Sequence, residues 1–202
     1  MKWRRLLEAS VNPVEGSHKP SKEELKAAYG KTIPDVVTPA LRVLFCGINP
    51  GLYSGAVGHH FARPGNRFWR SLHASGFTDR LLAPHEDGQL LRYGCGVTNL
   101  VERATATAKE LTSAELIEGG YRLVDKVNHY RPKILAILGV GAYQTAFECP
   151  RAVPGKQELA SQLHSLINST MIWVLPNPSG LNAHYQLDDL VKLFQELRMM
   201  YT

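Results

Sequence analysis

The stretch 41-LRVLFCGINPG-51 decides the fold class of this chain. Its first eight residues are apolar apart from one arginine and do not alternate with polar residues, which is typical of a strand buried on both faces in a parallel sheet. The run stops at Asn49-Pro50-Gly51, a tripeptide that favours a tight turn. We therefore predict a central strand at 41–48 with a rigid loop at its carboxyl end.

Three further apolar runs, at 96–101, 133–139 and 171–175, have the same character. Between the runs, apolar residues recur at helical spacing, and capping residues such as Ser21 and Thr112 precede some of these segments. Helices are expected at 22–29, 66–75, 79–92, 112–129, from residue 142 onward and at 187–200, with a glycine-rich loop over 52–65. Strands that alternate with helices predict a three-layer α/β/α fold around a short, mainly parallel sheet.

The size and composition of the chain favour one compact domain. With 202 residues, 44% of them hydrophobic and 20% charged, the chain can bury a core of its own. We assign residues 21–202 to this domain and residues 1–20 to an N-terminal tail. No apolar run reaches the length of a membrane helix, and no signal-peptide pattern follows the basic N-terminus. We expect a cytoplasmic monomer without a membrane partner, located in the cytoplasm or nucleoid if the source is prokaryotic.

Cysteine spacing and net charge exclude few of the possible cofactors and binding partners. The three cysteines, Cys46, Cys95 and Cys149, form no CxxC or Cys/His ligand pattern, so core packing is favoured over disulfides or structural zinc. We expect no metal and no organic cofactor. The net charge of +5 fits a polyanionic partner, but many enzymes with small substrates are equally basic.

Two loops with unusual composition leave predicted strand ends, 47-GINPGL-52 and 177-NPSGL-181. Ligands of open α/β sheets bind beyond the carboxyl ends of the strands. Both loops combine Asn, Pro and Gly, which favours tight turns with exposed backbone N–H groups that can stabilise a developing anion. Either loop alone could be simple turn chemistry. Both together, in one small basic domain, favour a functional site.

Four segments in chain order carry a family resemblance: 47-GINPGL-52, 58-GHHFARPGNRFW-69, 96-GVTNLVER-103 and 177-NPSGL-181. Together they resemble the mismatch-specific uracil-DNA and thymine-DNA glycosylases, a branch of the uracil-DNA glycosylase superfamily. Each motif alone is moderately specific, and four in series are strongly so. The resemblance extends from about residue 22 to residue 198, and it implies a uracil-DNA glycosylase-like fold.

The resemblance also implies a reaction, which initiates base-excision repair. The expected partner is double-stranded DNA with a mismatched or damaged base, and that base is flipped out of the helix into a pocket. The N-glycosidic bond of uracil opposite guanine then breaks through an oxocarbenium-like sugar. Asn49 matches the family's water-positioning residue, and its amide can orient a water but cannot ionise, so a slow enzyme is expected. Whether thymine or modified pyrimidines are also excised stays open.

The matched base pocket comprises Gly47, Ile48, His60, Phe61 and Asn99. Phe61 matches the aromatic on which the flipped base stacks, and the backbone amides of Ile48 and Phe61 are the expected readers of pyrimidine oxygens. His60 matches a histidine that lies near the base in the thymine-DNA glycosylases, and direct contact of its ring with the base is left open. Asn99 either contacts the Watson–Crick edge of the base or caps the end of its strand.

The second loop is expected to act on the DNA helix. Leu181 matches an apolar wedge that enters the duplex where the base has left, with burial inside the loop as the alternative. Ser179 and Gly180 would meet phosphates, and Asn177 stands where another branch of the superfamily has histidine. The basic residues that could contact phosphates, unranked by sequence, include Arg63, Arg67, Arg70 and Lys109.

Other functions fit the sequence less well. A non-catalytic module that binds damaged or mismatched DNA with the same fold is the main alternative. An unrelated α/β hydrolase is remote, because no G-x-S-x-G elbow occurs. No lysine stands at a motif position, which disfavours a Schiff-base lyase and favours a monofunctional glycosylase. For Glu102, an ion pair with Arg103 or a solvated face is favoured over a catalytic role.

Overall fold

A five-stranded sheet forms the centre of the computed structural model, which describes residues 19–158, 167 and 169–200. The strands are β1 (Val43–Gly47), β2 (Cys95–Asn99), β3 (Ile134–Leu138), β4 (Gly155–Lys156) and β5 (Met171–Leu175). Their order across the sheet is β2-β1-β3-β5-β4, and only β4 runs antiparallel to its neighbour. The predicted mainly parallel sheet is therefore confirmed.

Helices cover the sheet. They are α1 (Lys22–Ala27), α2 (Leu52–Val57), α3 (Phe68–Ala74), α4 (Ser113–Tyr130), α5 (Val140–Ala146) and α6 (Leu187–Met199), with 3₁₀ helices at Pro84–Tyr93 and Ala108–Glu110. Capping boxes formed by Ser21 with Glu24 and by Thr112 with Glu115 begin α1 and α4, as predicted.

Alternation along the buried strands produces two cores and hence three layers. One face carries Leu44, Cys46, Leu135, Ile137, Ile172 and Val174, which pack with apolar residues of α4 and α5. The other face carries Val43, Phe45, Ala136, Leu138, Trp173 and Leu175, which pack with α3 and α6. Because side chains of successive strand residues point to opposite faces, one short apolar strand serves both cores. The predicted α/β/α layering is confirmed.

Two local predictions were wrong, and one strand was missed. The first half of the predicted loop over 52–65 is helical, because α2 packs closely: a Cβ at Gly55 would lie 2.9 Å from the Cβ of Ala104. The helix expected at 79–92 is instead a 3₁₀ helix that begins at Pro84, since Pro84 and Gly88 are poor α-helix formers. The edge strand β4 was not predicted at all.

The remaining sequence predictions concern the N-terminal tail, the cysteines, and membrane or metal binding. Residues 1–18, most of the predicted tail, lie outside the described residues, so the tail and the domain boundary stay predictions. Cys46 and Cys95 are buried in the two cores, as expected. Within the described ranges, no helix is long and apolar enough to cross a bilayer, and no group of three His, Cys, Asp or Glu residues could hold a metal ion.

Candidate active site

A pocket of about 100 Å³ opens at the carboxyl ends of β1 and β2. The two strands are parallel neighbours with Gly47 opposite Asn99, so the segments that follow them meet at one edge of the sheet. This space holds several water molecules or a small planar ring in their place. Its lining consists of Ile33, Gly47, Ile48, Asn49, Pro50, Gly51, Ser54, His60, Phe61, Arg63, Asn66, Asn99, Thr105, Ala106, Thr107, Ala108, Asn177, Ser179 and Leu181. The structure brings together every predicted site residue except Gly180.

The amide of Asn49 is held in one orientation. Its Nδ2 donates to the carbonyl oxygens of Pro50 at 3.1 Å and Arg103 at 3.0 Å, and to Oγ1 of Thr105 at 2.7 Å. The Oδ1 atom has no donor among the described residues and is the atom left for a ligand. Asn49 therefore presents a fixed hydrogen-bond acceptor that cannot titrate.

Thr105 determines which end of the Asn49 amide faces the pocket. The Thr105 hydroxyl donates its proton to the carbonyl of Thr107 at 2.8 Å, so towards Asn49 it can only accept. Backbone bonds tie the two segments together, from Thr105 N to Pro50 O and from Leu52 N to Thr105 O, both at 3.1 Å. Thr105 is a pocket residue that the sequence analysis missed, and nothing in its sequence neighbourhood marks it.

Phe61 supplies the only aromatic carbon ring among the lining residues of the described pocket. Its ring stacks on Phe68 with centroids 4.1 Å apart and planes 28° from parallel, which leaves its other face for a ligand. The residue has φ of 53°, a left-handed conformation that bulky side chains rarely adopt. Such strain occurs where surrounding structure requires it, often at binding sites. The Phe61 N–H has no acceptor among the described residues, as a reader of ligand oxygens requires.

Gly47 keeps the floor of the pocket open. A Cβ at this position would lie 2.6 Å from Oδ1 of Asn99 and 3.2 Å from Cε1 of Phe61. Any larger residue would push both groups away. The distances also show that the oxygen of the Asn99 amide, together with the edge of the Phe61 ring, faces this floor.

His60 lies behind Asn99 and is 1% exposed. Its Nε2 is 2.9 Å from the carbonyl oxygen of Pro34, and its Nδ1 is 3.4 Å from Nδ2 of Asn99. Burial lowers the pKa of His60 below its ordinary value and keeps the ring neutral. Both ring nitrogens are thus occupied by protein groups, which argues against direct contact of the ring with a ligand.

The loop that follows β5, residues 177–185, forms the opposite wall, and we call it the wedge loop. Leu181 lines the pocket yet is 63% exposed, so the alternative of a buried loop leucine is wrong. Ser179 N donates to Oδ1 of Asn177 at 3.0 Å, and Leu181 N donates to Oγ of Ser179 at 3.3 Å. The N–H of Gly180 has no acceptor among the described residues, so it is available to an anion outside the pocket.

A single buried arginine holds the wedge loop from below. The guanidinium of Arg67 donates to the carbonyl oxygens of Pro178 at 3.4 Å, Ser179 at 2.5 Å and Asn182 at 2.9 Å, and also to that of Tyr185. Arg67 is 8% exposed, and none of the ion pairs among the described residues includes it. The expectation that Arg67 could contact phosphates is therefore wrong, because backbone carbonyls of the wedge loop occupy its donors.

The remaining charges place a cation, and no anion, at the pocket. Arg63 is exposed in the lining and has no partner among the described residues. The described residues contribute no carboxylate, lysine or cysteine to the lining. Of the two alternatives for Glu102, the ion pair with Arg103 does not form, since Arg103 binds Glu115 at 2.5 Å. The solvated face is confirmed, because Glu102 is exposed and lies 3.4 Å from Lys126. The pocket can orient water and bind a neutral or anionic ring through hydrogen bonds from its side-chain amides and backbone N–H groups.

Comparisons with known proteins give one family match and one structural similarity. The family model described as the uracil DNA glycosylase superfamily matches residues 34–198. Among solved structures, the chain is similar to the solution NMR structure of a candidate uracil DNA glycosylase from Methanosarcina acetivorans. The TM-score is 0.53, with 18% sequence identity over 84% of this chain and 98% of that chain. At this identity the likeness shows a shared fold.

Proposed function

The chain belongs to the uracil DNA glycosylase superfamily, and we propose that it is a monofunctional, mismatch-specific DNA glycosylase that initiates base-excision repair. Its substrate is uracil mispaired with guanine in double-stranded DNA, with thymine and modified pyrimidines as further candidates. The members of this superfamily are DNA glycosylases, which supports the reaction class. The choice of mismatched bases rests on the motif resemblance and on the pocket.

One observation carries the proposal: Asn49, Phe61 and Leu181 face a single pocket. Excision from a duplex needs a group that orients water, a surface on which the extruded base stacks, and a side chain that fills the vacated space. These three residues supply one each. A pocket for a small metabolite would not need the exposed apolar side chain of Leu181 at its rim.

The geometry supports water attack on an oxocarbenium-like sugar. The Oδ1 of Asn49 accepts a hydrogen bond from the water and aims it, while the fixed amide nitrogen prevents rotation of the side chain. Among the described residues of the lining there is no carboxylate that could take the proton. The reaction is still feasible, because an oxocarbenium-like sugar reacts with a water that no base has deprotonated. Slow turnover follows from this arrangement.

The leaving pyrimidine carries negative charge, which N–H donors can stabilise. The N–H of Phe61 is one such donor, since no protein group occupies it in the described chain. The absence of lysine from the described lining supports hydrolysis without a Schiff base. The product is then an intact abasic strand.

The test is excision under single-turnover conditions from duplexes that carry uracil, thymine, ethenocytosine or hypoxanthine opposite guanine or adenine. We expect abasic product from the uracil·guanine duplex, and a rate at least about 100-fold lower for Asn49→Ala because the water is no longer oriented. Duplex binding by Asn49→Ala should persist, which separates lost chemistry from lost folding. Tight mismatch binding without any abasic product would instead favour the non-catalytic binding module.

A further inference from the structure

We propose that His60 is a positioning residue that holds the amide of Asn99 with its oxygen towards the pocket, so that the enzyme selects pyrimidines with a hydrogen on N3. Uracil and its 5-substituted derivatives have that hydrogen, whereas cytosine-type bases have a lone pair there. The inference rests on the proposed function and concerns which bases the same pocket accepts.

The carbonyl of Pro34 fixes the tautomer of His60. A carbonyl oxygen only accepts, so the Nε2 atom 2.9 Å from Pro34 O must carry the proton of the neutral ring. The Nδ1 atom is then a bare acceptor. Only a donor can face it, and the group that does so is Nδ2 of Asn99 at 3.4 Å. Rotation of the Asn99 amide by 180° would place its oxygen against the lone pair of Nδ1.

The orientation of Asn99 determines what the pocket can read. With Nδ2 committed to His60, Oδ1 faces the floor at Gly47, where a ligand would lie between it and the ring of Phe61. An amide oxygen accepts a hydrogen bond from N3–H of a uracil-type base. Opposite the bare N3 of a cytosine-type base, it would meet another lone pair, with no hydrogen bond and a repulsive contact.

A polar network holds Pro34 in place. Asp35 accepts a hydrogen bond from Thr98 at 2.7 Å and pairs with Lys126 at 2.6 Å. On the other side, Val36 exchanges two backbone hydrogen bonds with Val97, each 2.9 Å long. The segment before β1 is thereby attached to β2, the strand that ends in Asn99. Through this attachment, the segment before β1 holds the carbonyl of Pro34 in place beside His60.

Acid should reverse the arrangement. The charged groups that face His60 are the carboxylates of Asp87, which accepts from the His60 backbone N–H, and Asp35, with His59 beside them. The carboxylates favour protonation of the ring, but burial outweighs them and lowers the pKa of His60. Once both ring nitrogens carry protons, Nδ1 becomes a donor, so the oxygen of Asn99 turns towards it and Nδ2 faces the pocket.

The experiment compares two bases that differ only on the Watson–Crick edge. Duplexes carry 5-fluorouracil or 5-fluorocytosine opposite guanine, and single-turnover excision rates are measured for each. The observable is the ratio of the two rates. We expect wild type to favour 5-fluorouracil at about pH 7. The ratio should fall about tenfold once the pH is low enough to protonate His60, whose pKa burial lowers below its ordinary value.

Two variants separate the role in positioning Asn99 from a role in packing. In His60→Gln the side-chain nitrogen falls near the place of Nε2 and can still donate to Pro34, but no acceptor faces Asn99. The ratio should fall about tenfold at neutral pH and no longer respond to acid. In His60→Asn the side-chain oxygen falls near the place of Nδ1, so part of the discrimination should return. His59→Gln is the matched control, because His59 binds Asp87 and does not line the pocket.

Folding is checked by melting at each pH. Because the pKa of His60 is lowered in the folded state, its contribution to stability is fully present above about pH 6.5 and is lost as the pH falls. If the wild-type protein excised neither 5-fluorouracil nor 5-fluorocytosine, that result would contradict the proposed function itself. Excision with the same ratio in wild type and His60→Gln would overturn the positioning role and leave the glycosylase proposal standing.

Discussion

Two loops border the pocket, and they are held in different ways. Residues 47–51, which we call the pocket loop, are tied to the segment after β2 by a run of backbone hydrogen bonds: Leu100 N to Gly47 O, Val101 N to Ile48 O and Thr105 N to Pro50 O. The wedge loop has local turns and one backbone bond, from Arg67 N to Pro178 O at 2.9 Å. Its other connections to the rest of the pocket are the side chain of Arg67 and the close approach of Gly180 to Gly65.

This difference assigns the two steps of the proposed reaction to separate loops: bond breaking to the pocket loop, and opening of the duplex to the wedge loop. The pocket loop continues the central sheet, so disturbing it would disturb the core. The wedge loop depends on one cation at the start of α3, which can be changed while the sheet stays intact. We therefore expect the bond-breaking step and the opening of the duplex to be separable by mutation.

Among changes to the residues that support the two loops, the largest effect should come from removing the support of the wedge loop. Arg67→Met deletes donors to four carbonyl groups, and a net value of about 1 kcal/mol for each bond, partly recovered by water, predicts a loss near 3 kcal/mol, or about 100-fold. Excision from a uracil·guanine duplex should fall by about this factor. Excision from single-stranded uracil DNA, which needs no duplex opening, should change much less.

Two variants sharpen the Arg67 comparison. Arg67→Lys keeps the charge but not the planar fork of donors, so it should recover only part of the duplex activity. Arg92→Met removes an exposed arginine near the opposite end of β2 and controls for the loss of net charge. Equal losses on duplex and single-stranded substrates would show that Arg67 supports the whole fold rather than the wedge loop.

A smaller effect is expected from the wedge itself. Leu181→Ala removes apolar area that is exposed in the free protein and would be buried in DNA, worth about 1.5 kcal/mol or about tenfold. The loss should appear in duplex excision and in the fluorescence of a 2-aminopurine placed beside the mismatch, which reports extrusion. Leu181→Met, which restores apolar volume, should recover most of both signals. If Leu181→Ala left extrusion unchanged, the wedge assignment would be wrong.

The sequence predicted the sheet because its strands are short apolar runs that end at turn residues, as at Asn49-Pro50-Gly51. It also predicted that the loops after β1 and β5 share one site, since the carboxyl ends of parallel strands lie along one edge. Both inferences depend on local patterns and on a general rule of sheet geometry. Such features can be read from a single sequence.

The supporting contacts could not be predicted in the same way. Arg67 binds carbonyl groups more than a hundred residues away along the chain. Its sequence neighbourhood does not reveal these partners, so the sequence left it among the candidate phosphate ligands. Thr105 and Asn49 are 56 residues apart. The helix α2 contains Gly55, which disfavours helix locally and is required by close packing against Ala104. Each case is decided by tertiary contact, which outweighs local preference.

The smallest predicted effect tests the pocket loop through Thr105. Thr105→Val removes the hydroxyl that accepts from Asn49 at 2.7 Å while keeping shape and volume, and Nδ2 retains its bonds to Arg103 and Pro50. Loss of one neutral hydrogen bond, about 1 kcal/mol, predicts a rate about fivefold lower at saturating enzyme. Affinity for duplex DNA should not change, because Asn49 orients water rather than binding the helix. Thr105→Ser keeps the hydroxyl and should react at nearly the wild-type rate, whereas equal losses in the Val and Ser variants would point to packing of the methyl group instead. This result would contrast with that for Arg67: a loop fixed by many backbone bonds tolerates the loss of one side-chain contact, and a loop fixed mainly by one side chain does not.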